Sequence, residues 1–174
     1  QFQHAKWKYE KFNPPQSRFF EYHDKDMNGL IASATSSGKT TIAEIALSHE
    51  MRVNKKKGMY LVPMRALAQE KIDEWTDPSH HFADKKISIC TGDYKLTKDR
   101  AKELAAADLI IMTSEMLSHR CRNNKSEQNT FLNDLGIIIV DESHLLTVPG
   151  RGDHLEGGLT KVTASTPDAK PPLP

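Results

Sequence analysis

Gly29-Leu-Ile-Ala-Ser33-Ala-Thr-Ser-Ser-Gly38-Lys39-Thr40-Thr41-Ile-Ala-Glu-Ile-Ala-Leu-Ser-His49 decides the fold. Its first four residues form a short apolar run that predicts a strand. Ile42, Ile45, Ala46 and His49 then keep helical spacing behind a polar turn. A helix that opens directly after such a turn aims backbone N–H groups at one point, and phosphate suits that point. Gly38 lets the backbone approach closely, Lys39 brings a charge to the β- and γ-phosphates, and Thr40 offers a hydroxyl to magnesium. Thr35, Ser36, Ser37 and Thr41 complete the candidate loop. The general phosphate-loop pattern has Gly where Ser33 stands, so by that rule the match is incomplete. The competing reading is an ordinary strand-to-helix turn capped by Ser or Thr. The order of strand, loop, Gly-Lys-Thr and amphipathic helix favours the phosphate loop.

Working outward, four more apolar runs follow: Met59-Tyr-Leu-Val, Ile87-Ser-Ile-Cys, Leu109-Ile-Ile-Met and Ile137-Ile-Ile-Val. Each is short and dense in apolar or β-branched residues, as strands buried on both faces are. Helical patterns lie between them, over 66–75, 97–106, 114–122 and 126–134. A short helix is also expected over 16–25 and another over about 154–164, although Gly157-Gly158 weakens the latter. Alternating strands and helices predict an α/β fold, a parallel β-sheet with helices on both faces. In such sheets ligands bind beyond the carboxyl ends of the strands.

The fifth run, Gly136-Ile-Ile-Ile-Val140, ends in Asp141-Glu142-Ser143-His144. An apolar strand that delivers two adjacent acids to its carboxyl end is costly unless something compensates the charge. Magnesium does so: Asp141 would hold the metal, and Glu142 would orient and deprotonate an attacking water. Two surface acids where a strand meets solvent is the plainer alternative. The phosphate loop about 100 residues upstream makes one nucleotide site the better account.

Composition adds bounds. The 174 residues suit a single domain with a full core. Lys plus Arg number 24 against 23 Asp plus Glu, so bulk charge gives no argument for nucleic acid, and any basic track must be local. Cys90 and Cys121 have no metal-like spacing and make no disulfide framework, which predicts a reducing, intracellular setting, cytoplasmic or with the genome. No apolar run approaches a membrane span, and no membrane partner is expected. Lys55-Lys-Lys57 reads as a solvated loop, His80-His81 as surface, and Trp75 as a helix residue packed in the core. Residues 1–11 read as a flank, and the Pro-rich 166–174 as a linker.

These segments together resemble the superfamily-two DExH-box helicases, most closely the Ski-type branch. Phe12-Asn-Pro-Pro-Gln16 is similar to the Q-motif element, and Thr35-Ser-Ser-Gly-Lys-Thr40 to motif I. Pro63-Met-Arg-Ala-Leu-Ala68 is similar to motif Ia, and Thr113-Ser-Glu-Met116 to motif Ib. Thr91-Gly-Asp-Tyr94 follows the third strand as in this branch, Asp141-Glu-Ser-His144 is a DExH motif II, and Arg151-Gly152 with Glu156 fits the segment after it. Ser33-Ala34 departs from the Ala-Pro usual there.

The resemblance implies the first RecA-like domain of an ATP- and magnesium-dependent helicase. Gln16 would read adenine, with helix capping beside Pro14-Pro15 an equal alternative, and His144 would couple the nucleotide to a second RecA-like domain. Arg65, Thr91, Gly92 and Thr113 would contact the backbone of single-stranded nucleic acid, DNA slightly ahead of RNA. For Arg65 and Thr113, helix-start chemistry is an equally good reading. The family's Ser-Ala-Thr strand and second domain with its arginine finger do not occur in this sequence. Such a finger is worth on the order of 10³–10⁵ in rate, so the 174-residue chain alone is expected to hydrolyse ATP negligibly. Two rivals remain: a double-strand DNA translocase or restriction-type motor, and a non-catalytic, nucleotide-gated binding module. Intact Lys39, Asp141 and Glu142 count against the module.

Overall fold

The computed structural model describes residues 7, 10–22, 25, 28–32, 37–92, 97–122, 127–132, 134–143, 156–160 and 162. In chain order these form α1 (Pro14–Phe19), α2 (Lys39–His49), a π-helical turn (Glu50–Asn54), β1 (Lys57–Val62) and α3 (Arg65–Trp75). There follow β2 (Ile87–Cys90), α4 (Lys98–Ala106), β3 (Leu109–Thr113), α5 (Ser114–Arg122), a 3₁₀ turn (Glu127–Leu132) and β4 (Leu135–Val140). Residues 156–160 are helical as well.

The strands form one parallel sheet in the order β2-β3-β1-β4. Alternation along each strand splits the side chains between two faces. Met59, Leu61, Ile110 and Met112 face Leu104 of α4, Leu117 of α5, Phe131, Leu132 and Val162. Tyr60, Val62, Ile89, Leu109 and Ile111 face Ala43 and Leu47 of α2, Ala68 and Trp75 of α3, and Phe82. The sheet is therefore covered on both faces, which accounts for its continuous apolar runs. Trp75 is fully buried, edge-on to Tyr60 and Phe82, as its apolar spacing implied. Cys90 and Cys121 are buried in the core and form no disulfide. Among the described residues no helix is long and apolar enough to cross a membrane.

Four expectations need correction. Gly29–Ala32 pairs with no strand of the sheet, and Leu30 and Ile31 are 74% and 43% exposed. Apolar composition favours a strand, but a strand also needs a neighbour in its hydrogen-bonding plane, and the described sheet ends at β4. The helix expected over 126–134 is a tighter 3₁₀ turn, Glu127–Leu132. The helix expected over 16–25 starts earlier and stops at Phe19. Pro14 and Pro15 fill its first turn, where a missing N–H costs nothing. Lys57 opens β1 and bonds the carbonyl of Ala105, so the basic run is only partly a solvated loop.

Candidate nucleotide site

The direction of α2 locates the site. Leu47 Cδ2 lies 2.5 Å from where a Cβ on Gly58 would stand, and the Glu50 side chain covers Gly136. Gly58 and Gly136 lie near the starts of β1 and β4, so the far end of α2 sits over the strand beginnings. At 1.5 Å per residue, Lys39 lies about 12 Å back along the helix from Leu47, toward the carboxyl ends of the strands. Asp141 and Glu142 follow β4 at that same end, with Asp141 N–H bonded to the Leu61 carbonyl at 2.9 Å. Residues about a hundred positions apart thus lie toward the same end of the sheet.

The loop entering α2 is held from behind by α1. Asn13 Nδ2 donates to the Ser37 carbonyl at 2.8 Å, and Gln16 Nε2 donates to the Gly38 carbonyl at 3.3 Å. In a trans peptide the C=O and the following N–H point in opposite directions. Drawing these two carbonyls toward α1 therefore turns the N–H groups of Gly38 and Lys39 away from it, as a phosphate cradle requires. Gly38 caps α2 in the left-handed region, at φ 79°, and a Cβ there would run into the Gln16 amide. Only glycine fits both conditions.

Gln16 and Asn13 also form a capping box on α1: Asn13 Oδ1 accepts from Gln16 N–H at 3.0 Å, and Gln16 Oε1 accepts from Asn13 N–H at 2.9 Å. The capping reading of Gln16 is thus realised, and each end of its amide keeps capacity for one more bond. Asn13 went unremarked in the sequence, although Asn followed three residues later by Gln is the signature of such a box.

At the acid pair, Glu142 N–H donates to Asp141 Oδ1 at 2.9 Å. Glu142 itself is exposed and holds φ 51°, an unusual backbone for a residue with a long side chain. Such conformations concentrate at functional sites. The buried Tyr60 hydroxyl on β1 is hydrogen-bonded to Asp141. Burial, reinforced by the Asp141 carboxylate, pushes the Tyr60 hydroxyl far above the ordinary tyrosine range, so it stays protonated and donates. Thr40, in the first turn of α2, and Asp141 are half-buried oxygen donors of the kind magnesium takes. Thr41 is buried. Thr35, Ser36 and His144 lie outside the described residues, as do Ser33-Ala34, Asp93-Tyr94 and Arg151-Gly152.

Of the residues expected to meet nucleic acid, Arg65 and Gly92 are exposed and adjacent. The Arg65 guanidinium comes within 2.7 Å of where a Cβ on Gly92 would stand. Thr91 and Thr113 are buried, at 2% and 5% exposure, at the carboxyl ends of β2 and β3.

His80-His81 is not a surface pair. His81 is buried, its ring packed against those of Trp7 and His80, and both histidines face the buried Glu44 of α2 at 3.7 Å. The local sequence is polar, so hydropathy gave no sign of this. Burial, followed by His80 and Arg52, lowers the His81 imidazole to about 3 and keeps it neutral. Arg52 bonds the His81 carbonyl and Asp84, fastening this loop to the π-helical turn. Glu44, His80 and His81 gather ligand atoms within 4.8 Å of one another. Phe82 N–H, however, donates to His80 Nδ1 at 3.2 Å, which leaves the His80 proton on Nε2. An N–H facing a carboxylate is a donor, not a lone pair offered to a metal. Glu44 accepts from Trp75 Nε1 at 3.0 Å and serves as an internal acceptor.

Comparison with known proteins agrees with this geometry. The DEAD/DEAH box helicase family model matches residues 13–171. The chain is 36% identical over 160 residues to the ATP-dependent DNA helicase Hel308 of Methanococcus vannielii, covering 88% of this chain and 20% of that protein. It is 34% identical over 169 residues to the RQC trigger complex helicase SLH1 of Saccharomyces cerevisiae, covering 93% of this chain and 8% of that one. The chain thus spans one fifth or less of these relatives. Among solved structures it is similar to the Mycobacterium smegmatis helicase Lhr bound to ssDNA and AMP-PNP, with TM-score 0.76, 21% identity, and 94% of this chain and 22% of that one covered. A hypothetical ATP-dependent RNA helicase from Sulfolobus tokodaii gives TM-score 0.70 at 21% identity, covering 91% and 45%. At that identity the two structures speak for the fold alone.

Proposed function

The chain belongs to the DEAD/DEAH box helicase family, and from that premise we propose that it is the first RecA-like motor domain of an ATP-dependent nucleic-acid helicase of the Ski type. The observation that carries the reading is the convergence of the Lys39 helix start and the Asp141-Glu142 pair at one end of the sheet. Lys39 neutralises charge on the β- and γ-phosphates, and the N–H groups turned outward by the Asn13 and Gln16 clamp cradle them. Thr40 and Asp141 would hold magnesium, which would supply counter-charge to the phosphates. Glu142 aligns the attacking water and takes its proton. Gln16 meets the adenine with the remaining capacity of its amide. His144 carries the state of the nucleotide to a second RecA-like domain.

Arg65 and Gly92, with Thr91 and Thr113 beneath them, form the contact to a single strand. Such backbone contacts do not read sequence, as a motor stepping along any strand needs. DNA is preferred over RNA because Hel308, 36% identical here, is described as a DNA helicase. The test is strand displacement by the full-length protein containing this domain, on matched DNA and RNA duplexes with single-stranded tails. ATP-dependent unwinding, stronger on DNA, is expected. ATP turnover stimulated by double strands with no displacement would instead identify a translocase.

A further inference from the structure

Tyr60 belongs to none of the segments that suggested a nucleotide site, yet it is 1% exposed and its hydroxyl bonds the Asp141 carboxylate. The register explains how. Tyr60 of β1 pairs with Ile139 of β4, and both side chains face α2. Asp141 lies two positions beyond Ile139 on that same face, a diagonal distance of about 7–8 Å that a long aromatic side chain spans. The ring has little freedom to move. Trp75 lies edge-on to it with centroids 4.9 Å apart, and Trp75 Nε1 is anchored to Glu44 of α2 at 3.0 Å. A buried chain, Glu44–Trp75–Tyr60–Asp141, thus runs from the helix that Lys39 begins to the acid proposed to hold magnesium.

A carboxylate has about four acceptor positions. Glu142 N–H takes one on Oδ1, and the Tyr60 hydroxyl takes another. Both donors come from the protein side, so rotation of the carboxylate about its last bond is fixed and the remaining positions are left for a cation. The geometry points to Tyr60 as a positioning residue that presets the Asp141 carboxylate for magnesium, a role that rests on the nucleotide-site reading above. Partners of this kind typically govern metal affinity by 10–100-fold when removed.

The test is Tyr60→Phe, which keeps the ring and its contact with Trp75 while deleting the hydroxyl. A fluorescent ATP analogue is titrated onto the chain at a series of magnesium concentrations and again in chelator. The magnesium concentration at half-maximal tight binding should rise by roughly tenfold or more in the variant, with affinity in chelator unchanged. A purely structural role would weaken both conditions alike, and that result would overturn the proposal. So would an unchanged magnesium requirement. Lys39→Ala run alongside separates the two levels. If it abolishes binding while Tyr60→Phe behaves as wild type, only the role of Tyr60 falls. If Lys39→Ala binds as well as wild type, the nucleotide-site reading falls too.

Discussion

Glu44 and the Asp141-Glu142 pair border the same layer between α2 and the sheet, and they are treated in opposite ways. Glu44 is 7% exposed, takes an indole N–H at 3.0 Å, and is faced by two imidazoles. Asp141 is half-buried, Glu142 is exposed on a left-handed backbone, and both lie where the strands end. The first acid is enclosed by protein donors; Asp141 is braced from behind, and Glu142 reaches the surface. A buried carboxylate with its own partners holds a fold together. Carboxylates at the carboxyl edge of a parallel sheet, one of them on a left-handed backbone, are placed where such sheets take ligands.

That contrast can be broken by experiment, and the largest effect should come from the open side. Glu142→Gln in the full-length protein is expected to lower ATP turnover by about 10²–10⁴-fold while magnesium-ATP still binds. Turnover close to wild type would remove Glu142 from the chemistry. On the enclosed side, Glu44→Ala strands the Trp75 indole N–H and should cost about 1–3 kcal/mol in urea unfolding, with nucleotide still bound. A loss of affinity without a loss of stability would reverse the assignment of the two acids.

A third effect concerns pH. His81 has a folded value lowered to about 3, against an ordinary value of 6.5. The unfolded chain therefore binds the proton first as pH falls. The His81 contribution is fully present above about pH 7 and is lost progressively toward pH 3, by at most about 1.4 kcal/mol per pH unit. Unfolding measured between pH 7 and 5 should show this decline, and His81→Gln should flatten it. An equal slope in the variant would place the titration elsewhere.

Much of this was legible in the sequence, for identifiable reasons. Strands buried on both faces leave unbroken apolar runs, so β1 to β4 and the parallel sheet could be read from Met59-Val62, Ile87-Cys90, Leu109-Met112 and Ile137-Val140. Gly38-Lys39-Thr40 and Asp141-Glu142 suggest the proposed nucleotide site by residue type and order. What escaped depends on tertiary neighbours. Leu30 and Ile31 have strand composition but no ladder partner. His81 sits in a polar stretch and is buried only because Trp7, Glu44 and Arg52 arrive from elsewhere in the chain. Tyr60 reads as one more core aromatic until the β1–β4 register sets it diagonally from Asp141.

The central claim is that the start of α2 and the end of β4 form one nucleotide site. Titration calorimetry of magnesium-ATP onto the chain and onto Lys39→Ala, with thermal unfolding of both, tests it most directly. The account predicts heat of binding for the parent, none for the variant, and nearly equal unfolding midpoints. Equal affinity in the two proteins would contradict it.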